Sequence, residues 1–559
     1  MTSSLLPVTQ TWPDDLAALY KARGYWRGET FPAMLRRIGA QHGDRIAFSE
    51  GARQESYRDF AARAQAFGAG LLERGYAPGD RVLIQLGNSI AFFHAAFGLF
   101  AAGLVPVYAL PAHRRTEIAH LLRKSQAVAM ITHDRLDGFD HAGLAAQMLE
   151  EIPGLRDAFI VGEAGALTGF DSIAGDPATL PEDPDPQSVA FLQISGGSTG
   201  MSKLIPRTHD DYIYSLWASN EICGVTEDSV YGAVLPVAHN FTMSSPGCYG
   251  ALYAGARVVL FPSPVPDAAF PLIRQEGVTI TGLVPPLALL WLDAAEKAGG
   301  ARTARDLASL KVLLVGGAKF LPESARRVKP VLGCTLQQVF GMAEGLVNYT
   351  RLDDDEATIT QTQGRPISPD DEVRVLDDAG NPVADGTPGH LLTRGPYTIR
   401  GYHDEPAANE RSFEDGWYRT GDIVIRHPSG HLTVQGRAGD HINRAGEKIS
   451  AEEVEDHLVA HPAVLDAVVV SIPDAKLGER IAAFILPKEG QALRAVDIRK
   501  FMRSRQVAPF KTPDEIRFVT GFGTTAVGKI SRKTLRAELR EEVLKAEAAE
   551  ARKTEEEKI

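Results

Sequence analysis

Residues 189–203 read VAFLQISGGSTGMSK, a strand-like apolar run that breaks into a turn of glycines and hydroxyls and closes on a lysine. Gly196, Gly197 and Gly200 let backbone amides approach an anion unobstructed, Ser195, Ser198 and Thr199 add hydroxyl donors, and Lys203 adds charge. That chemistry suits a polyphosphate. It is not the Walker spacing, which sets four residues between its first glycine and a Gly-Lys-Ser/Thr triplet. Taken alone, the string also reads as a flexible connection, so the segments around it decide.

Helical and strand patterns alternate on both sides of this turn. Phe60, Ala64, Phe67 and Leu71 fall at helical spacing before the strand-like RVLIQL at 81–86, and ARVVLF at 256–261, VTITGLV at 278–284 and LKVLLVGG at 310–317 have strand length. The pattern predicts an α/β protein whose parallel sheets are covered by helices on both faces. The Pro- and Asp-rich stretch 176–187 reads as a subdomain connection. A second boundary near 436–440 divides a large amino-terminal domain, 1–436, from a small α+β carboxy-terminal domain, 437–559, with a helix capped by Ser450 and Glu453. The charged segment from 531 onward reads as a solvated or frayed terminal helix.

Composition narrows the partners. At 559 residues the chain exceeds one ordinary domain, and a net charge of -12 opposes a general attraction to nucleic acid or anionic lipid. Three cysteines provide neither a disulfide framework nor a zinc pair and fit a reducing cytoplasm. No signal-peptide pattern opens the sequence. The nearly charge-free stretch 91–110 is long enough for a membrane span, but His94, Gly98, Gly103 and Pro106 divide it into a buried helix and a strand.

Four further segments follow in order: FGMAEG at 340–345, YRTGD at 418–422, GRAGDHINRAGEKIS at 436–450 and GTTAVGKISRK at 523–533. With the glycine-rich turn they resemble the acyl-adenylate-forming superfamily, over about residues 30–540. The resemblance implies that fold, with a mobile small domain, and ATP and Mg²⁺ as cofactors. An attacking carboxylate and the α-phosphate repel each other, so cations and amide dipoles must offset the developing charge. By the resemblance, Lys529 bridges carboxylate and α-phosphate and Glu344 holds Mg²⁺. Thr199 and Lys203 meet the β- and γ-phosphates, Gly341 and Met342 line the nucleotide site, Asp422 accepts from both ribose hydroxyls with Arg437 beside it, and Asp440 is the hinge. Taken singly, each is also an ordinary surface lysine, glutamate or turn aspartate.

The stretch VAHNFTMSSPG at 237–247 looks like the stand-alone aryl-acid ligases of siderophore pathways. The resemblance makes His239 the gating histidine and places Asn240, Phe241, Ser245, Gly316, Gly317, Val339 and Val347 at the acid pocket. An amide can meet an ortho hydroxyl and a flat apolar slot can hold the ring. Asn240 stands where amino-acid-activating relatives carry an aspartate, which disfavours a substrate ammonium. Ser245 leans toward 2,3-dihydroxybenzoate and Phe241 toward salicylate, 3-hydroxypicolinate fits the same shape, and the lesser reading of Ser245 is a turn cap before Pro246. No carrier domain is expected after Lys533. The expected acceptor is the phosphopantetheine thiol of a separate aryl carrier protein, with coenzyme A as the competitor. A catalytically silent scaffold is the alternative of another class.

Overall fold

The computed structural model describes residues 12–195, 202–437, 441–444, 447–474, 477–505, 509–522, 531–532, 534–539 and 541–542. Two large sheets carry the alternation expected from the sequence. A seven-stranded sheet runs Leu204–Thr208, Val189–Ile194, Val105–Tyr108, Arg81–Gln85, Ala129–His133, Asp157–Val161, Thr168–Gly169. Its neighbours are parallel except the first pair. A nine-stranded sheet runs Arg365–Pro366, Val347–Tyr349, Thr335–Gly341, Val312–Gly316, Ile280–Leu283, Val230–Ala233, Arg257–Leu260, Ile46–Glu50, Arg53–Ser56, with a parallel centre and antiparallel edges. Strands such as Val312–Gly316 are buried along their whole length, as expected of a sheet covered on both faces.

The apolar stretch 91–110 folds as a helix, Ile90–Ala101, and a strand, Val105–Tyr108. The helix lies between the two sheets. Phe93 packs on Phe48 of the nine-stranded sheet at 4.6 Å between ring centres, and Phe92 on Tyr108 of the other at 5.6 Å. Burial on all sides explains why the helix has no polar face. It also meets the helix Tyr57–Glu73 closely, because a Cβ on Gly68 would stand 2.4 Å from the Gly98 carbonyl oxygen. No described helix is long and apolar enough to cross a membrane.

A third sheet, with strands Glu372–Leu376, Pro388–Arg394, Trp417–Arg426, Phe413–Glu414 and Leu432–Arg437, is wholly antiparallel and departs from the parallel expectation. Its strands alternate in burial, and few residues separate Trp417–Arg426 from Leu432–Arg437, so hairpins replace helical crossovers. A fourth sheet joins Glu447–Ser450, His441–Arg444, Gly478–Pro487, Val464–Asp474 and Glu515–Phe518. The helix Ala451–Val459 packs against it, and the Ser450 hydroxyl accepts from the Glu453 amide at its start.

The expectation of a solvated terminal helix is corrected in part. Leu535 and Leu539, one turn apart, form an apolar stripe, and Leu539 is buried with Val468, Val470, Ile472 and Phe484. The charged composition hid this stripe.

Candidate active site

The glycine-rich turn connects two antiparallel strands, Val189–Ile194 and Leu204–Thr208, so it opens no helix. Its neck is closed by the Ser195 amide donating to the Lys203 carbonyl at 2.9 Å and by the Lys203 amide donating to Ser195 Oγ at 3.0 Å. Gly196, Gly197, Ser198, Thr199 and Gly200 lie outside the described residues, as do Asp440 and Lys529. Lys203 Nζ lies 4.5 Å from the centre of the Tyr402 ring. Tyr402 Oη donates to Glu344 Oε1 at 2.9 Å and lies 3.2 Å from Tyr418 Oη. Burial and the Glu344 carboxylate hold the Tyr402 phenol protonated. The cluster thus sets a cation, two phenols and a buried carboxylate at the mouth of the turn.

Two devices fix the turn that carries Glu344. Arg207, paired with Asp211 in full burial, donates to the Ala343 carbonyl at 2.7 Å and to the Tyr397 carbonyl at 3.2 Å. Gly345 has φ +103° and passes so close to Tyr397 that a Cβ would lie 2.1 Å from its carbonyl oxygen, so only glycine fits. Met342 donates its amide to the Leu346 carbonyl at 3.2 Å, and Gly341 pairs with Val347 across the strands.

Asp422 pairs in register with Arg437, whose Nε lies 2.9 Å from Oδ1 and whose Nη1 donates to the Thr420 carbonyl. Burial pushes the Asp422 carboxyl up to about 6, against the pull of Arg437 and Thr420. The small sheet approaches this place. Glu452, at the start of the helix Ala451–Val459, lies 4.0 Å from Lys319, two residues beyond Gly317, and 3.9 Å from Arg532.

The expected acid-pocket residues gather at the ends of neighbouring strands. Asn240 and Phe241 start the short helix Asn240–Ser244, capped by His239, whose Nδ1 accepts from the Phe241 amide at 3.3 Å and so leaves the ring proton on Nε2. The tip of Phe241 lies 3.2 Å from a Cβ built on Gly316 and 3.3 Å from one built on Gly282. The tip of its ring therefore reaches bare backbone, where a side chain at either glycine would meet it. Gly316 pairs with Val339, Val339 with Tyr349, and Val347 donates its amide to Tyr397 Oη at 3.0 Å. Gly317 follows with φ +88°. Ser245 is buried, donates its amide to the Phe241 carbonyl at 3.2 Å, and turns its hydroxyl toward the Tyr349 phenol, which also bonds Ser219.

Several of these groups carried no sequence signal. Tyr402, Lys319 and Glu452 stand outside any chemical string, whereas Tyr418 lies inside YRTGD, whose glycine and aspartate carry the signal. Among the described residues, no group of three or more His, Cys, Asp or Glu side chains could hold a metal ion.

The description "AMP-binding enzyme" matches residues 35–403, and "AMP-binding enzyme C-terminal domain" matches 453–529. The chain is 54% identical over 534 residues to the 2,3-dihydroxybenzoate-AMP ligase of Bacillus subtilis, covering 95% of this chain and 98% of that one. It is 47% identical to pyochelin synthase PchD of Pseudomonas aeruginosa, covering 97% and 98%. Among solved structures, apo MbtA of Mycobacterium smegmatis superposes with a TM-score of 0.73 at 42% identity, over 94% of this chain and 98% of that one. With the glycine-rich hairpin, the buried Glu344 and Asp422, and both matched segments on one polypeptide, the chain belongs to the AMP-binding enzyme family.

Proposed function

We propose that this enzyme activates a 2-hydroxylated aryl carboxylic acid, best 2,3-dihydroxybenzoate, with ATP and then passes the aryl group to the phosphopantetheine thiol of a separate aryl carrier protein. The observation that carries the reading is the slot in which the tip of Phe241 reaches Gly282 and Gly316 with Asn240 at its edge. A planar ring fits such a slot, and an amide meets an ortho hydroxyl. The similarity to the Bacillus subtilis ligase supports the acid, and the similarity to PchD supports the broader class.

In the first half-reaction a carboxylate oxygen attacks the α-phosphorus, the bond to the bridging oxygen breaks, and pyrophosphate leaves. Lys203 and the turn 195–203 hold the β- and γ-phosphates, and Asp422 takes the ribose hydroxyls. Lys529 neutralises the charge between carboxylate and α-phosphate. Glu344 is suited to Mg²⁺, because one buried carboxylate beside bound phosphates is the usual set for that ion, which supplies charge neutralisation when bound. Tyr402 orients the Glu344 carboxylate. In the second half-reaction the thiolate sulfur attacks the acyl carbon and AMP leaves. The same reading divides the chain at 436/437 and takes Asp440 as the hinge about which the small domain exchanges Lys529 for the face around Arg444 to Glu447.

Acid-dependent ATP–pyrophosphate exchange tests the first step with 2,3-dihydroxybenzoate, salicylate, benzoate and 3-hydroxypicolinate. Exchange with 2-hydroxylated acids well above benzoate is expected, and no exchange with any acid refutes the reading in favour of a silent scaffold. Loading of holo carrier protein in preference to coenzyme A tests the second step, and the opposite preference makes the enzyme an aryl-CoA ligase.

A further inference from the structure

Behind the acid slot stands a tyrosine with no assigned part in the reaction. Tyr212, on the helix His209–Cys223, is fully buried. Its ring meets Phe191 edge-on at 4.6 Å, and the Arg207 guanidinium lies 4.8 Å from its centre. The ring is therefore held, and only the hydroxyl proton can turn. That hydroxyl donates to Asn240 Oδ1 at 2.9 Å, while Ser244 Oγ donates to the Asn240 backbone carbonyl at 3.1 Å. The amide oxygen of Asn240 is thus engaged from behind. Its Nδ2, with two N–H groups, meets no acceptor among the described residues.

We propose that Tyr212 is a positioning residue that fixes the Asn240 amide with its NH₂ toward the acid, so that the slot accepts an ortho hydroxyl and rejects an ortho amine. The inference rests on the aryl-acid reading above and adds the polarity of the subsite. The chemistry follows from the substrate's own hydrogen bond. In a 2-hydroxybenzoate the phenol proton is given to the adjacent carboxylate, and what faces outward is an oxygen lone pair, which needs a donor. In a 2-aminobenzoate one N–H goes to the carboxylate and the other faces outward, which needs an acceptor. A fixed Asn240 Nδ2 satisfies the first and opposes the second with donor against donor. Without Tyr212 the amide is free to turn over, and the side chain serves either acid. The two ligands have nearly the same shape, so packing alone does not separate them; the hydrogen-bond direction does.

The test compares kcat/KM in pyrophosphate exchange for 2-hydroxybenzoate and 2-aminobenzoate, in the wild-type protein and in Tyr212→Phe, which removes one oxygen and keeps the ring. Wild type should favour the hydroxy acid by about tenfold or more, the usual effect of one mismatched buried hydrogen bond. Tyr212→Phe should lower that ratio about tenfold, through KM for the acids, with KM for ATP within about twofold. A ratio unchanged in Tyr212→Phe, or a rise in KM for ATP matching that for the acid, overturns the proposal. Asn240→Asp, which offers only acceptors, gives an independent arm: the preference should swing toward the amino acid analogue, and an unaltered preference overturns the proposal even where Tyr212→Phe fails to fold. If wild type exchanges with neither acid nor with any other of the panel above, the aryl-acid reading falls and takes this one with it, and if it exchanges with 2,3-dihydroxybenzoate alone, the same comparison is made between that acid and 2-amino-3-hydroxybenzoate. If it exchanges with both and only the ratios fail, the aryl-acid reading stands alone.

Discussion

On the proposed role of Asp422 at the ribose hydroxyls, lowering the pH should loosen the grip of this enzyme on a nucleoside, and Asp422 sets the range. Burial raises its carboxyl to about 6, with Arg437 and Thr420 opposing the rise. Two ribose hydroxyls donating to the carboxylate favour its charged form, so binding draws the pKa back toward the ordinary aspartate range. Ligand affinity is then full above pH 7 and declines as pH falls through the free-enzyme value. With about two units between free and bound states, affinity at pH 5 should be about tenfold below that at pH 8. Adenosine is the right probe, because ATP carries titrating phosphates and adenosine has none. Isothermal titration calorimetry at pH 5, 6, 7 and 8 reads the curve. In Asp422→Asn the curve should be flat and the affinity at pH 8 lower than in wild type. The sign for stability is the reverse: a raised carboxylate pKa means that the charged form destabilises the empty protein above about pH 6, and that the penalty is relieved as pH falls toward 3.8. Asp422→Asn should therefore stabilise the ligand-free protein at pH 8, by up to about 3 kcal/mol for two units, since Arg437 is half-exposed and loses little by losing its partner. A wild-type adenosine affinity independent of pH between 5 and 8, or an equal slope in Asp422→Asn, would refute this reasoning.

Three other outcomes follow from the geometry. Gly316→Ala puts a methyl 2.9 Å from the Val339 carbonyl oxygen and 3.2 Å from the Phe241 ring, so kcat/KM for the aryl acid should fall by about ten- to a hundredfold, the scale of 1–3 kcal/mol of overpacking, with KM for ATP little changed. Lys319→Met removes the partner that Glu452 has on the large-domain side, and acid-dependent pyrophosphate exchange should slow about fivefold or more while transfer from pre-formed aryl-AMP to the thiol proceeds at the wild-type rate; stopped-flow measurement of each half-reaction separates them. Lys529→Ala should abolish exchange and leave the thermal midpoint little changed, and wild-type exchange in that variant would remove the lysine from the mechanism.

The large sheets were legible because parallel strands buried on both faces leave continuous apolar runs, as in LKVLLVGG, and the helix Ile90–Ala101 because glycine and proline punctuate it. Glu344 and Asp422 were legible because each sits in a string whose glycines have a backbone reason to be there: Gly345 has no room for a side chain, and Gly421 takes φ +78°. The polar surroundings were not. Tyr402 reaches Glu344 across 58 positions, Tyr212 reaches Asn240 across 28, and Lys319 meets Glu452 from another sheet. Such partners are chosen by strand order and hairpin register, which no local pattern encodes. The antiparallel third sheet was missed for a related reason, since its half-exposed strands alternate in burial and leave no continuous apolar run to mark them. Leu539 was hidden because two apolar residues among many charges leave a stripe too narrow to register as a core face.

The placing of Phe48 against Phe93 bears on how the polypeptide matures on the ribosome. The strand Ile46–Glu50 bonds in parallel to Arg257–Leu260, so the wall on one side of the most apolar helix, Ile90–Ala101, is completed only when Leu260 has been made, 159 residues after Ala101. At ordinary elongation speeds that is roughly eight to thirty seconds during which Phe92, Phe93, Phe97 and Phe100 have no finished enclosure. A nascent chain in that interval presents the profile that holdase chaperones bind, and substitutions that lengthen the wait should reduce soluble yield without altering the stability of the finished enzyme.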